Sequence, residues 1–196
     1  MRNMPPENAK RVFQGEIFDV WQWEQKLFDG STATFECIKR PDVVSVIAAV
    51  GEKIIVQEQE QPDRSAFFSV PGGRADHDAK NPLAEAKREL LEETGFVSDD
   101  WKKWRTTQPS HRIVYGAHYF IAHDCRNAQE PQLEAGERIV NKLVTFEEFL
   151  RIAADERFRD IGLANTLLRL QLDPREREAF RRLLFPEENP HAASRV

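Results

Sequence analysis

Residues 71–96 read PGGRADHDAKNPLAEAKRELLEETGF, a glycine-containing loop followed by a segment with the composition of a helix. Asn81 is the predicted N-cap, Pro82 suits the first helical position because no N–H is needed there, and Gly95 is predicted to end the helix. At about 100° per residue, one third of the helix circumference carries Glu85, Glu89, Glu92 and Glu93. The neighbouring face carries Leu83, Ala86 and Leu90 and is expected to pack against a sheet.

The acidic flank of this helix needs a source of positive charge. Each pair of like charges one turn apart costs about 0.2–0.5 kcal/mol. Arg88 can pair with Glu85 or with Glu92, but one arginine does not neutralise four carboxylates. Oxygen atoms converging from one side are the usual way of holding Mg²⁺, with waters and substrate phosphates as the remaining ligands. On the residues alone, a divalent-metal site and a plain solvated acidic face both stay open.

The segment Arg88-Glu89-Leu90-x-Glu92-Glu93-x-Gly95-Phe96 resembles the second half of the Nudix box, Arg-Glu-U-x-Glu-Glu-x-Gly-U, where U is apolar. The Pro71-Gly72-Gly73 loop also looks like the family's. The resemblance implies a Nudix-type α/β/α sandwich with a mixed central sheet and an N-terminal β-hairpin. The first half of the box departs from the pattern, because the stretch from Gly73 to Arg88 is one residue longer and Lys80 replaces the usual loop glutamate. Asp76 and Asp78 are the candidates to brace the loop against Arg88 in its place.

The resemblance also implies roles for individual residues. The metal ligands would be the Gly72 carbonyl and the carboxylates of Glu89, Glu92 and Glu93, and the metal would be Mg²⁺ or Mn²⁺. Glu89 and Glu93 are the stronger candidates, because they lie one turn apart and can share an ion. Arg88 would orient the glutamates, and Glu92 is carried over as a catalytic residue as well.

A general base is expected outside the helix. In family members that act on diphosphate sugars it often comes from a loop before a late strand, and residues 133–139 resemble that loop. Glu137 is the first candidate for the base and Glu134 the second. Glu134 is also a candidate substrate contact. The alternative is that both are solvated loop acids.

The substrate side of the site is less clearly marked in the sequence. Trp21, Trp23 and Phe28 could stack on a nucleobase, although core or dimer packing is the commoner role of such residues. Arg64 could reach a phosphate or be a solvated loop arginine. The ADP-ribose branch usually has Glu two residues before the proline and Pro-Ala-Gly after it, whereas this chain has Ser69-Val70-Pro71-Gly72-Gly73. The expected substrate is therefore any nucleoside diphosphate linked to another group, not ADP-ribose alone.

The rest of the chain predicts a strand-rich molecule. Residues 1–12 are expected to form a loose arm, 13–40 an N-terminal β-hairpin packed on the core or a dimer partner, 41–186 the Nudix domain, and 187–196 a polar tail. Predicted strands cover residues 42–50, 53–60, 66–70, 111–123 and 139–144. Predicted helices cover 145–154, where Thr145 and Glu148 form a capping box, then 160–172 and 174–184. His111, His118 and His123 alternate along one strand and are expected to be core or surface residues, not metal ligands.

Composition limits the classes of partner. The net charge of −5 argues against a long nucleic acid as ligand. Neither Cys37 nor Cys125 belongs to a metal or redox spacing, and residues 1–11 contain no apolar signal segment, so a cytoplasmic location without a membrane partner is expected. The resemblance further implies a homodimer.

The expected function is hydrolysis of the diphosphate in a nucleoside diphosphate linked to another group, of the ADP-ribose or nucleotide-sugar type. The products would be a nucleoside monophosphate and a phosphorylated second product. Two alternatives stay open. One is a pyrophosphohydrolase of (d)NTPs or capped RNA, and the other is a Nudix-fold binding or regulatory module without turnover.

Overall fold

The computed structural model describes residues 4–75 and 81–186. Within them, the strands are β1 (Lys10–Gln14), β2 (Asp19–Lys26), β3 (Thr32–Lys39), β4 (Val43–Val50), β5 (Lys53–Gln61), β6 (Arg64–Ser69), β7 (Phe96–Val97), β8 (Asp100–Thr107), β9 (Ile113–Val114), β10 (Ala117–His123), β11 (Arg126–Asn127) and β12 (Arg138–Thr145). The helices are α1 (Pro82–Thr94), α2 (Phe146–Ile152), α3 (Ile161–Leu172) and α4 (Pro174–Leu184). Asp76, Asp78 and Lys80, with the predicted tail 187–196, lie outside the described residues.

The chain forms two compact units. The first comprises Met1–Ser45, Gly72–Glu89 and Lys103–Phe120, and the second comprises Val46–Pro71, Leu90–Lys102 and Ile121–Val196. Elements β4, α1, β8 and β10 each contribute residues to both units. Strands pair in the order β12-β5-β4-β10-β8 with β6 on β5, and in the order β1-β2-β3-β9. Parallel and antiparallel pairings together with helices confirm the predicted α/β class.

The first unit contains the predicted hairpin. β2 and β3 pair antiparallel from Asp19↔Lys39 to Lys26↔Thr32. In the turn, the Asp29 carboxylate accepts from the Ser31 N–H (3.0 Å), and Gly30 takes a φ of 89°, which favours glycine. Two features were not predicted: β1 begins at Lys10, inside the segment expected as a loose arm, and β9 pairs parallel with β3.

The predicted single strand over 111–123 is wrong, because the chain breaks into β9 and β10 at Gly116. The Gly116 N–H donates to Asp42 Oδ1 (2.8 Å), and its carbonyl accepts from the Val43 N–H (2.9 Å). His118, which is 7% exposed, contacts Asp42 Oδ2 at 3.1 Å and Thr106 Oγ1 at 3.0 Å. Burial raises the pKa of Asp42, but the bonds from Gly116 and His118, with the Lys39 charge, bring the net pKa below its usual value. These long-range contacts divide a segment that alternates smoothly in sequence.

The second unit is built on an antiparallel ladder of β12, β5 and β6. β12 pairs with β5 from Arg138↔Glu60 to Thr145↔Lys53, and β6 pairs with β5 through Gln57↔Ser69, Glu58↔Phe68 and Gln59↔Phe67. The apolar residues at the start of β5, Ile54 to Val56, are at most 1% exposed. His123, which is 6% exposed, contacts Asp100 Oδ2 and the Leu183 carbonyl, as expected for a structural histidine.

The helix boundaries follow local signals in the sequence. The Asn81 side chain accepts from the Leu83 N–H (3.1 Å), so Asn81 is the N-cap of α1 as predicted. α2 begins with the predicted capping box of Thr145 and Glu148. Asp160 and Asp173 cap α3 and α4. Among the described residues, no helix is long and apolar enough to cross a lipid bilayer.

Candidate active site

The first half of α1 places Arg88 between two carboxylates of the first unit. Its Nη2 lies 3.1 Å from Glu85 Oε2 and 2.8 Å from Glu89 Oε1. The Glu89 side chain is only 12% exposed, whereas the Arg88 side chain is 38% exposed. The arginine therefore contacts the carboxylates of Glu85 and Glu89 at the same time.

The loop Gly72-Gly73 brings main chain directly against Glu89. A Cβ atom added to Gly73 would lie 2.4 Å from Glu89 Oε1, so the carboxylate in its present position lies directly against the glycine main chain. Gly72 has a φ of 149°, and a Cβ there would lie 2.2 Å from the Val44 carbonyl oxygen. The Gly73 carbonyl accepts from the Val44 N–H at 2.9 Å, which fixes the loop on β4. Gly72 is therefore required by its backbone conformation and by close approach of main chain, whereas a side chain at Gly73 would displace the Glu89 carboxylate.

The second half of α1 buries Glu93 in the second unit. Glu93 is 5% exposed, and its Oε2 accepts from Gln57 Nε2 at 3.2 Å. The main-chain carbonyl of Glu93 accepts from Asn141 Nδ2 at 2.9 Å. Glu92 is half-buried, and its carbonyl accepts from the Gln132 N–H at 2.7 Å. Gln57 and Asn141 were not predicted. The available signal was in β5, where the apolar run changes to glutamine after Val56.

The chemistry of these donors suits a hard divalent cation. Carboxylate and carbonyl oxygens are the ligands that Mg²⁺ and Mn²⁺ prefer. The carboxylate of Glu89 lies against the main chain of Gly73, in space that a side chain at position 73 would fill. Over residues 4–75 and 81–186, no three His, Cys, Asp or Glu side chains lie close enough together to hold a metal ion. Arg88 and the amides of Gln57 and Asn141 contact the glutamates instead.

The two candidates for the general base lie together in the loop before β12. The Glu137 N–H donates to the Glu134 carbonyl at 3.0 Å, and Glu137 Oε2 accepts from the Glu134 N–H at 3.4 Å. Glu134 is exposed and Glu137 half-buried. A Cβ atom added to Gly136 would meet none of the described residues within 4 Å, so the loop is open to solvent there.

The predicted substrate contacts occupy different surroundings. Arg64, at the start of β6, lies with its guanidinium 5.9 Å from the Phe67 ring centre, and a second guanidinium, that of Arg159, lies 5.1 Å from the same ring. In the hairpin, Trp23 packs edge-on against Phe35 and donates to Gln25 Oε1 at 3.1 Å. The Nε1 of Trp21 is buried without a hydrogen-bond acceptor in the described residues.

Comparisons with known proteins identify the family to which this chain belongs. The chain is 27% identical to an ADP-ribose pyrophosphatase of Bacillus subtilis (strain 168), over 83% of this chain and 90% of that protein. It is 24% identical to a methanol dehydrogenase activator of Bacillus methanolicus, over 84% and 90%. A crystal structure of an ADP compounds hydrolase superposes with a TM-score of 0.66 at 19% identity and covers 86% of this chain and 94% of that one. The NUDIX domain model matches residues 39–163. The chain therefore belongs to the Nudix family and is a pyrophosphohydrolase that acts on phosphorus anhydrides.

Proposed function

We propose that this enzyme hydrolyses the diphosphate of a nucleoside diphosphate linked to a sugar or a similar group, with ADP-ribose as the first substrate to test. The observation that carries the proposal is the set of glutamates on helix α1. Arg88 and the main chain of Gly73 contact the Glu89 carboxylate, and Gln57 donates a hydrogen bond to the Glu93 carboxylate. The names of the Bacillus subtilis relative and of the structural neighbour support the substrate class.

The metal in this proposal is Mg²⁺ or Mn²⁺, held by the Gly72 carbonyl and by the carboxylates of Glu89, Glu92 and Glu93. When bound, such an ion lowers the pKa of water and neutralises charge on the phosphate oxygens. Arg88 keeps Glu89 oriented through its contact at 2.8 Å. Without a cation, the grouped carboxylates would repel the phosphates of the substrate.

The protein groups then act on a water molecule and on the phosphate it attacks. Water adds to one phosphorus, and the bond to the bridging oxygen breaks, so that one phosphate leaves with the second product. We assign Glu137 as the base that accepts the proton of this water, with Glu92 as a further catalytic residue. A positioned base contributes about 10²–10⁴-fold to the rate.

The substrate contacts proposed are Arg64, Glu134, Trp21 and Trp23. Arg64 is exposed at the start of β6, where its charge is accessible to a phosphate. Trp21 and Trp23 are each partly exposed and two residues apart on β2, so they share one face of the hairpin. This spacing permits stacking on a nucleobase.

The test is a panel of ADP-ribose, nucleotide sugars and dinucleoside polyphosphates, with (d)NTPs and capped RNA as the competing substrates, in the presence of Mg²⁺. Nucleoside monophosphate, sugar phosphate and free phosphate are measured separately. We expect ADP-ribose or a nucleotide sugar to give a nucleoside monophosphate, and we expect Glu93→Gln to abolish that turnover. Glu52→Gln, an exposed acid in the β4–β5 turn, is the control with the same charge change. Near-normal turnover by Glu93→Gln would refute the metal assignment.

The relative named as a methanol dehydrogenase activator supports a second candidate, a regulatory role on a partner enzyme. The two roles are separated by assaying the purified chain alone. Turnover on the panel without a partner favours the hydrolase, and stimulation of a partner dehydrogenase by a Glu93→Gln variant without turnover favours binding.

We also propose a homodimer in the cytoplasm. The hairpin and its neighbouring strand expose apolar side chains that a partner could cover: Val12, Phe13, Phe18, Phe28 and Ile38. Both cysteines are free and buried, which suits a reducing compartment. Light scattering after size exclusion should give twice the 22.7 kDa mass of the chain, and a monomer would refute the dimer.

A further inference from the structure

We infer that Gln57 is a positioning residue for the Glu93 carboxylate, and that Gln59, Ser69 and Asn141 fix the orientation of the Gln57 amide. The inference rests on the proposed function, because it assigns these residues to the metal site through Glu93. It adds a group of four buried or half-buried amide and hydroxyl side chains on β5, β6 and β12.

Gln57 is 0% exposed, and its side chain uses its full hydrogen-bonding capacity. Nε2 donates to Glu93 Oε2 at 3.2 Å and to Asn141 Oδ1 at 3.3 Å. Oε1 accepts from Gln59 Nε2 at 2.7 Å and from Ser69 Oγ at 3.3 Å. An amide has two N–H donors and two lone pairs on its oxygen, so all four are occupied.

These partners determine which end of the amide faces the glutamate. If the Gln57 side chain turned over, its oxygen would face the Glu93 carboxylate and the Asn141 oxygen, and its NH₂ would face the donors of Gln59 and Ser69. Three favourable contacts would become repulsive, and only the Ser69 hydroxyl, which can also accept a hydrogen bond, would tolerate the change. Gln59 is itself held, because its Nε2 also lies 2.9 Å from Ser69 Oγ. One N–H of Gln57 is therefore directed at Glu93 Oε2, while the other is bonded to Asn141.

Asn141 connects the network to the main chain of α1. Its Nδ2 donates to the Glu93 carbonyl at 2.9 Å, while its Oδ1 accepts from Gln57. Both the main chain and the side chain of Glu93 are thus fixed by the same pair of amides. An ionised carboxylate accepts at about four positions, so a bond from Gln57 to Oε2 is compatible with coordination.

Burying these four polar side chains costs free energy, and packing of the sheet alone does not require them. Buried amides on a sheet lose hydration, and apolar residues, as at Ile54 to Val56 earlier in the same strand, would fill the space more cheaply. A carboxylate that must stay charged in a buried position needs donors around it. Groups that orient a metal ligand in this way usually contribute about 10–100-fold to metal affinity or activity.

The experiment compares Gln57→Met, which keeps the length of the side chain and removes both donors, with the wild type. Mn²⁺ binding is measured by electron paramagnetic resonance, and kcat and KM are measured with Mg²⁺ on the substrate found by the panel. We expect Mn²⁺ affinity to fall about 10–100-fold and kcat to fall with it, with KM for the nucleotide nearly unchanged. Gln22→Met is the matched control, because Gln22 also donates to a glutamate across strands, Glu36, at 3.1 Å, but near the surface of the hairpin.

Circular dichroism checks that each variant is folded. If Gln57→Met does not fold, Gln59→Met provides the test, because Gln59 contacts the Gln57 amide and not Glu93. It should weaken Mn²⁺ binding while the Gln22→Met control does not. A folded Gln57→Met or, in its absence, Gln59→Met with wild-type Mn²⁺ affinity would overturn the inference. The proposed function fails by a different result, namely Glu93→Gln binding Mn²⁺ as tightly as the wild type.

Discussion

Glu137 lies in the loop before β12, with its carboxylate turned back to the Glu134 N–H. If Glu137 accepts the proton of the attacking water, Glu137→Gln keeps the size of the side chain and removes the base. We expect kcat to fall about 10²–10⁴-fold, with Mn²⁺ affinity changed less than about 2-fold. Steady-state rates and a Mn²⁺ titration check this, with Glu130→Gln, which changes an exposed acid, as the control. A normal kcat in Glu137→Gln together with a reduced kcat in Glu134→Gln would assign the base to Glu134.

The buried thiol of Cys125 makes the stability of the protein depend on pH. Burial, with a further contribution from the Asp124 charge, raises the pKa of this thiol from 9.0 to about 12. Because the folded pKa lies above the unfolded one, the contribution to stability is complete below pH 9 and is lost as the pH rises toward 12.

Native protein at pH 8 should therefore be alkylated at Cys125 at least about 100-fold more slowly than protein unfolded in guanidinium, since the thiolate is the reactive form. Peptide mapping by mass spectrometry separates Cys125 from Cys37, whose pKa burial also raises. Labelling of Cys125 at equal rates in both states would contradict the buried position.

The sequence names the candidate site residues of α1, but it does not show which side chains contact them. Glu89 and Glu93 follow from the local motif, and so does their partner Arg88, which lies within the same helix. Gln57 and Asn141 lie 36 and 48 residues from Glu93 in the chain, and their contacts arise only when β5, β12 and α1 pack together. No local pattern encodes that distance.

At the scale of elements, two glycines that follow an element, Gly95 after α1 and Gly51 after β4, test how much a single main-chain position contributes. Gly95 has a φ of 74°, and a Cβ there would lie 2.0 Å from the Gln129 carbonyl oxygen. Gly51 also has a positive φ, 55°, but none of the described residues lies within 4 Å of its Cβ position. Comparing alanine substitutions at these two glycines separates the free-energy cost of a left-handed backbone from the free-energy cost of a steric clash.

We expect Gly51→Ala to reduce the free energy of unfolding by about 1–2 kcal/mol, the cost of a left-handed non-glycine residue. Gly95→Ala should cost roughly 3 kcal/mol or more, because displacing Gln129 is added. Urea unfolding followed by circular dichroism measures both. Equal losses in the two variants would show that the chain after α1 moves away from the new methyl group without penalty.

Element boundaries were predictable wherever the signal is local. The capping residues Asn81 and Thr145 contact residues within three positions, and the predictions there are confirmed. The break at Gly116 was not predictable, because its cause is a bond to Asp42, 74 residues away. β8 was missed for a related reason. Its sequence, DWKKWRTT, is polar and alternates weakly, and its place at the end of the sheet path is set by pairing with β10.

At the scale of the whole molecule, charge and metal binding are linked through stability. The chain has a net charge of −5, and four of its acids share α1. An ion that binds the folded state and not the unfolded chain stabilises it by about 2.7 kcal/mol at a concentration 100 times its dissociation constant. For a chain of this size, that corresponds to a rise in Tm of roughly 5–10 °C.

We therefore expect MgCl₂ to raise Tm beyond what KCl of equal ionic strength does, because KCl screens surface repulsion but does not coordinate carboxylates. Glu93→Gln should lose the additional rise, while Glu52→Gln, with the same change in net charge, should keep it. EDTA should reverse the effect in the wild type. If KCl and MgCl₂ shift Tm equally, repulsion is relieved by screening alone, and the acidic flank of α1 is a solvated face and not a metal site.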